Sequence, residues 1–543
     1  MSEVLKQPAV IGTSEKKDMN ATGSRSSAFI SYLPAILAVV GSVLMVLMRI
    51  QLGGGRFISD GALMMLALAS YLTAAVFHLT NLYAPTNWAQ KLGLWCTGLG
   101  VFFNLSSWGV RWVAAHDREL QTFLSQGRTA ADLPWAFRYI PFANLYDLSL
   151  AFAFGAGITT LLIAHRKNFR FLGAVSLPLA ALILLLARFI GGEFIDLPPV
   201  LDSYWRPIHV GIASMSYGIA LVCFAVAVVY LLKDGVKTEA MAIWSSIFAI
   251  AVLATVSKFS VFSPSTFGTY ASSTYMGDAR SPLGLRANVP YVGWLLVTAG
   301  LFLLGTIIAF CKYLWQKDET ARRWGHRLLK LALVAQAAGI AALISGVKTM
   351  GSVVSQIDPR QYERFSIWML QQEKVSPEQI AQFSSPELYT MAEKWVQQNG
   401  ALLKMSLKAN PVEFAALVTA LAATLFVIIF SFRTEKLRAA LPPAEKLDSL
   451  MYKTAGVAFA GLALLLMTGA IWANESWGRY WGWDSKETGA FVAWLTYGAF
   501  LHSRIARGWH GRRSAYFAVV AFLLVIFTYL GVSYLLPGLH SYA

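Results

Sequence analysis

Long apolar runs alternate with short polar stretches along most of this chain. A helix needs about 20 mainly apolar residues to cross the hydrocarbon core of a bilayer. About thirteen runs reach that length: 28–50, 59–80, 92–114, 145–165, 170–190, 207–232, 240–262, 290–314, 327–349, 411–432, 453–473, 488–507 and 515–535. The pattern predicts an all-α, polytopic transmembrane bundle. Residues 1–27 are polar and mixed in charge, and the first run is long enough to span. A cytoplasmic tail is therefore expected, not a cleaved signal peptide. One polar stretch, about 350–410, is long enough to fold outside the bilayer. Within it Ser376-Pro377-Glu378-Gln379 reads as a capping box with Pro at the first helical position, and Ser385-Pro386-Glu387 reads as a second helix start. Gly400 would stop that helix. With few large apolar groups the segment is a weak independent unit and is expected to lean on neighbouring loops or a partner. No internal repeat is visible.

Charge orients the bundle. The 543 residues are 56% hydrophobic and only 14% charged, against roughly 25% charged in soluble proteins; mean hydropathy is +0.53. The net charge of +16 does not mark a nucleic-acid binder, because the basic residues are dispersed among short loops, as the positive-inside rule produces. The loops holding His165-Arg166-Lys167, Lys312 to Lys330, Arg433 to Lys446 and Arg504 to Arg513 are strongly basic. With thirteen alternating helices they share one side, the cytoplasmic one, so the N-terminus is inside and the C-terminus outside. Arg111 and Arg118, placed in the outer loop after the third span, are a mild exception. The outer face then gathers the loops before the fourth and sixth spans, the segment 350–410, the loop after the eleventh span and the C-terminal tail.

Candidate chemistry follows from that sorting. Cys96, Cys223 and Cys311 lie singly in apolar runs, outside any C-x-x-C or C-x-x-C-H arrangement. They read as inert buried residues, which excludes a thiol–disulfide carrier and a c-type cytochrome. His209, at the outer start of the sixth span, and His540, near the C-terminus, fall on the same outer face. Alone, each reads as a surface or capping residue; as a pair they suit axial ligation of haem iron. His78 and His502 lie within spans toward the inner side. They are either bonded to neighbouring carbonyls or, if they face one cavity, a second bis-imidazole site. His116, His165, His326 and His510 read as solvated loop residues, with His165 a spare inner ligand.

Between two spans stands Trp477-Gly478-Arg479-Tyr480-Trp481-Gly482-Trp483-Asp484-Ser485-Lys486-Glu487. Its tryptophans suggest a platform for a large planar ligand, and Arg479 or Arg206 are candidates for pairing with acidic groups on that ligand. Asp484 and Glu487 are explained as well by capping the next helix.

This loop fits the Trp-Gly-x-x-Trp-x-Trp-Asp-x-x-Glu signature of the haem-handling "WWD" proteins, and within them resembles the CcsA (ResC) family of the system II pathway of cytochrome c biogenesis. Asn144-Leu145-Tyr146-Asp147 resembles that family's Asn-Leu-Tyr-Glu motif. Leu201-Asp202-Ser203 through Trp205, then His209-Val210 and Tyr217, resembles its first external-histidine segment. Trp494-Leu495-Thr496-Tyr497, Leu501-His502-Ser503-Arg504 and Gly508 to Arg513 resemble the helix after the signature, and Gly538-Leu539-His540-Ser541-Tyr542 its C-terminal end. The resemblance covers roughly 90–232 and 450–543. Ser485 stands where the family usually has proline, Gly489 where it has a further tryptophan, and Asp147 where it has glutamate.

The resemblance implies a haem conduit and cytochrome c synthase (haem lyase) in the cell inner membrane. Haem b, bound as substrate, would enter between transmembrane histidines (His78, His502) and reach an outer site. His209 and His540 would ligate it there, with Asn144, Tyr146, Trp205, Trp477, Trp481, Trp483, Asp484 and Glu487 around it. It also implies three partners: a CcsB-like membrane subunit, apocytochrome c carrying C-x-x-C-H, and a thiol-reducing system. The alternative is a haem-binding or delivery module without ligation activity. The expected organisation is a tail (1–27), an N-terminal transmembrane part (28–235), inserted helices with the outer segment (236–450), and the signature-bearing part (451–543).

Overall fold

The computed structural model describes residues 15–192, 194, 199–256, 270–276, 283–289, 291–348, 362–372, 375–399 and 411–532. Every expected span coincides with a helix. In order these are α1 (Glu15–Leu52), α2 (Asp60–Tyr83), α3 (Asn87–Ser125), α4 (Leu145–Ala164), α5 (Gly173–Ile190), α6 (Trp205–Lys233) and α7 (Thr238–Val256). The chain continues through α8 (Val292–Gln316), α9 (Glu319–Lys348), three short helices α10 (Tyr362–Gln372), α11 (Pro377–Ile380) and α12 (Ser385–Asn399), and α13 (Pro411–Ser431). It ends in α14 (Thr434–Ala440), α15 (Ala444–Trp477), α16 (Ser485–Arg507) and α17 (Arg512–Ile526). Among the described residues ten helices are long and apolar enough to cross a membrane. Of the other three expected spans, α7 is shorter, and α3 and α16 interleave polar groups with apolar ones. This is an integral membrane protein.

Three features differ from the pattern-based expectation. Between α7 and α8 the chain forms a two-stranded antiparallel hairpin, β1 (Tyr270–Met276) with β2 (Leu283–Val289), Tyr270 opposite Val289. Helix α3 continues through Ser125, so Arg111 is a buried helix residue, not a loop residue. His326, read as solvated, lies within α9, where its Nε2 stands 3.5 Å from Glu239 and its ring edges onto Phe310. The soluble segment follows its caps: Ser376 and Gln379 form the capping box with Pro377 at the first position. The second cap is Ser384, whose amide and hydroxyl both bond Glu387. Those donors hold the Glu387 carboxyl below the usual range. Helix α10 packs on α12 and beside β2, so the segment does lean on a neighbouring loop.

Two cores result. The larger joins α1–α6 with α15–α17, and the smaller joins α7, α8, α9 and α13. Phe189 against Phe414 (4.2 Å between ring centroids) and the Tyr83 hydroxyl on the Ile429 and Phe432 carbonyls (3.0 Å each) connect them. In a bilayer, helices associate through close packing and interhelical hydrogen bonds, and small residues set the approach. Helix α6 lies between α4 and α15 on glycines: a Cβ on Gly218 would sit 2.5 Å from the backbone of Gly155 and Ala156, and one on Gly461 would strike Ser216.

The two ends of the large bundle differ in chemistry. At one end the basic turns gather: Arg512 pairs with Asp234 (2.7 Å), Arg438 donates to the Leu232 and Val236 carbonyls, and Arg504 pairs with Asp448. At the other end Arg111 of α3 is buried against Asp147 at the start of α4, 3.4 Å from Asp60 at the start of α2, and donates to the Gly192 carbonyl (2.7 Å). The Tyr146 hydroxyl completes this knot on Asp60 (3.1 Å). Removing one partner of a buried ion pair leaves an uncompensated charge and costs about 3–5 kcal/mol. Asp147→Ala is therefore expected to lower the thermal unfolding midpoint in detergent by the equivalent of about 3 kcal/mol, while Asp132→Ala, at an exposed cap, moves it little; equal effects would show that the knot does not hold this end together.

Candidate functional site

The polar end of the large bundle opens into a cleft between α4, α6, α15, α16 and the end of α17. Its central polar group is His209, in the first turns of α6. His209 Nδ1 lies 3.1 Å from the Leu465 carbonyl and 3.4 Å from Thr468 Oγ1 on α15, and the ring packs 5.7 Å from Trp472. A carbonyl can only accept, so Nδ1 carries the proton and Nε2 the lone pair. That tautomer, oriented by a backbone carbonyl, is how a metal-ligating histidine is commonly prepared. The contact exists because residue 469 is glycine: a Cβ there would lie 2.7 Å from His209 Cε1.

Around it the walls come from segments distant in sequence. Asn144, Leu145 and Leu148 stand at the start of α4, where the Asn144 side chain accepts the Asp147 amide as an N-cap (3.0 Å). Arg206 lines the cleft and donates to the Arg138 carbonyl (2.7 Å). Arg138 itself pairs with Asp202 (2.8 Å), whose hydrogen bond raises the guanidinium pKa. Ser203 is tied to Glu475 (2.9 Å), so the start of α6 is anchored to both sides. The floor is aromatic: Tyr217 of α6 and Tyr529, with Phe152 between them at 5.9 and 5.2 Å. Tyr529 sits on a π turn, Phe527–Gly531, that continues α17, and its hydroxyl meets Ser149 Oγ at 2.6 Å.

The tryptophan loop forms the rim. Helix α15 ends at Trp477 with Gly478 in the left-handed region (φ 68°), where glycine carries no steric penalty. Trp477, Tyr480 and Trp481 line the cleft. Trp483 does not: its own positive φ of 55° swings the ring outward, 70% exposed. There it stands edge-to-face with Trp481 (5.6 Å, 87°) and Phe491 (6.4 Å, 85°). The loop is thus an angular aromatic cluster, not the flat platform expected. Asp484 caps α16, and Glu487 closes the capping box while also accepting the Gly482 amide (2.9 Å); the capping explanation holds for both. Ser485 is the first residue of α16, a position that favours proline but does not require it. Gly489 packs on the π turn, where a Cβ would lie 2.9 Å from Thr528 Oγ1, so this chain has no room for a larger residue there.

Of the expected site residues the cleft gathers His209, Asn144, Trp477, Trp481 and Glu487. Tyr146 is turned to Asp60, and Trp205 is half-buried at the start of α6, off the cleft wall. His540 lies outside the described residues. His78 is buried between α3 and α5, close enough that a Cβ on Gly93 would meet its Cε1 at 3.0 Å, with Nε2 3.2 Å from Thr97 Oγ1. His502 is exposed on α16, which packs on α15 and α17, not in the α2–α3–α5 group. Among the described residues the two histidines stand in different helix groups. His165, the spare inner candidate, caps α4 against the Tyr32 ring, and Cys311, expected to be buried, is exposed on α8.

Pattern reading missed Lys486, Trp472 and Ser476, which also line the cleft. Trp472 Nε1, Ser476 Oγ and Trp481 Nε1 are buried without a hydrogen-bond partner among the described residues. The i, i+4 spacing of Trp472 and Ser476, on the face that bears Gly469 and Leu465, was the available signal. The cleft thus brings together a histidine, aromatic walls, two cationic side chains and buried donors without a partner among the described residues. Among the described residues no cluster of three or more His, Cys, Asp or Glu offers an all-protein metal site.

The fold and cleft define an integral membrane protein with an aromatic, histidine-bearing cleft at one end of its helical bundle. The chain matches the family described as Cytochrome C assembly protein over residues 142–342 and 411–540, more than half its length, and belongs to it. The match runs through most of the segment expected as an insertion and leaves out 343–410. Within that family it is similar to curated CcsA proteins. It is 58% identical over 98 residues to the cytochrome c biogenesis protein CcsA of Prochlorococcus marinus (strain MIT 9515), 18% of this chain and 31% of that protein. Against CcsA of Parasynechococcus marenigrum (strain WH8102) it is 52% identical over 102 residues, 19% and 33% of the two chains. The chain therefore aligns with about a third of the length of these relatives.

The glycine contact gives a direct prediction. Gly469→Ala and Gly461→Ala are expected to lower the thermal midpoint in detergent. Gly456→Ala, on the same helix with nothing near its added Cβ, should leave it unchanged or raise it slightly, by up to about 1 kcal/mol from helix propensity. Equal behaviour of the three variants would mean that α15 does not close on His209 as described.

Proposed function

We propose that this protein carries haem b to the outer face of the cytoplasmic membrane and attaches it to C-x-x-C-H apocytochrome c. Membership of the cytochrome c assembly family supports haem handling. The observation that carries the finer reading is His209, fixed by the Leu465 carbonyl with Nε2 as its lone-pair nitrogen, under the Trp477–Trp481 rim. His540 is the second axial ligand in this reading. The gathering of basic turns at the end opposite the cleft supports an outward cleft, because positive loops stay inside.

Within the cleft the chain's task is positioning. His209 holds the iron, the aromatic walls hold the ring, and the apocytochrome thiols meet the vinyl groups in a fixed orientation, which converts a slow bimolecular addition into a local one. Each S–H adds across one vinyl C=C, sulfur to one carbon and hydrogen to the other, so two thioethers form without an oxidant. The incoming C-x-x-C-H histidine replaces one axial ligand. On the inner side, the exposed position of His502 on α16 supports completion of an entry site by a CcsB-like subunit instead of by the buried His78. A thiol-reducing system keeps the apocytochrome cysteines available.

Co-expression with a CcsB-like subunit and a C-x-x-C-H apocytochrome, in a strain without its own assembly system, tests this. The intact chain is expected to yield covalently haem-stained cytochrome, and His209→Ala to reduce it roughly tenfold or more, as loss of positioning does, with partial restoration by imidazole. Haem-loaded protein without any covalent product would instead identify a delivery module.

A further inference from the structure

The walls of the cleft are unequal in polarity. On the α15 side Trp472 Nε1, Ser476 Oγ and Trp481 Nε1 are buried donors with no acceptor among the described residues, and Trp472 and Ser476 as residues are only 7% and 9% exposed. An indole N–H can only donate, and leaving such a group buried without an acceptor is costly. Three such donors, on residues that line one cavity, therefore point to something that accepts. Two cationic side chains, Arg206 and Lys486, line the same space. The one carboxylate on its wall, Glu487, is committed to the Gly482 and Asp484 amides (2.9 and 3.3 Å). Buried donors beside positive charge describe a seat for an anion with several oxygens.

We infer that Trp472 and Ser476, helped by the Trp481 indole, bind the carboxylates of the ring that His209 ligates, and so decide which edge of the ring faces α15. This rests on the proposal that the ligand is haem. Trp472 and Ser476 stand one helical turn apart on the same face, and Ser476 lies about 10 Å along the axis from Gly469, where His209 packs. An acidic side arm of a porphyrin can cover that separation. The vinyl edge then turns away from the α15 donors, which fixes where the thiols must approach. Arg479 has no part in this seat. It is folded back toward Gly482, where an added Cβ would lie 2.8 Å from its Nη2, and it is not on the cleft wall.

The test compares haem with haem dimethyl ester, which keeps the ring and the iron but loses both negative charges. Each would be titrated by absorbance into the purified full chain, into Trp472→Phe and Ser476→Ala, and into His209→Ala as a variant that removes the iron ligand; thermal midpoints confirm that each variant is folded. A hydrogen bond to a charged group is worth enough that each donor deletion should weaken haem about tenfold while changing ester binding by less than about twofold. His209→Ala should weaken both ligands alike. Equal losses for haem and ester in the donor variants, or no loss in either, would overturn the carboxylate seat while leaving haem binding intact. Failure of the unsubstituted chain to bind either ligand would instead sink the haem reading, and this inference with it.

Discussion

The contact between α6 and α15 at Gly469 governs the rest of the structure. There the two helices come close enough for the Leu465 carbonyl to reach His209 Nδ1, and the absence of one methyl group makes that possible. A single backbone acceptor thereby sets the tautomer, the ring plane and the direction of Nε2. The same approach brings Trp472 against the imidazole and aligns Ser476 one turn further on. Were α15 displaced outward, the histidine would lose its orientation and the cleft its donor wall together.

That contact is held within a frame. Helix α6 is pinned to α4 at Gly218, and the start of α4 is pinned to α2 and α3 by the buried Arg111, Asp147 and Tyr146 with the half-buried Asp60. A charged knot of this kind is not an economical source of stability, but it allows few geometries. Its effect is to fix the starts of α2 and α4 against the body of α3 beside the cleft. The Asn-Leu-Tyr-Asp segment thus divides its work: Asn144 faces the cleft, while Tyr146 and Asp147 serve the frame. The π turn under Tyr529 contributes in the same sense, by seating α17 on Gly489 and bringing a tyrosine to the cleft floor.

Much of the fold was legible because bilayer physics writes helices as apolar runs, and all thirteen expected runs are helices. The β1–β2 hairpin was not, since seven-residue strands outside the bilayer leave no comparable run. The continuation of α3 past its apolar stretch was hidden for the same reason. In the site, His209 and the rim tryptophans stood out by residue type. Trp472 and Ser476 did not, because a tryptophan and a serine near the end of an apolar helix look like interfacial anchors until the facing helix is known. The surroundings of His78 and His502 were hidden for a related reason: both are histidines within spans, but spans far apart in sequence pack in different groups, and periodicity cannot say which. Trp483 misled because its ring direction is set by a positive φ that residue type does not predict.

In the proposed function His209 ligates the iron of a haem seated in this cleft. The most direct measurement is the absorption spectrum of the purified full chain, ferric and ferrous, beside that of His209→Gly with and without imidazole. A His209 ligand predicts a six-coordinate low-spin haem spectrum for the intact chain, its loss or conversion to a high-spin form in the variant, and its return when imidazole fills the vacated position. A low-spin spectrum unchanged by His209→Gly, or no haem spectrum after loading the intact chain, would contradict it.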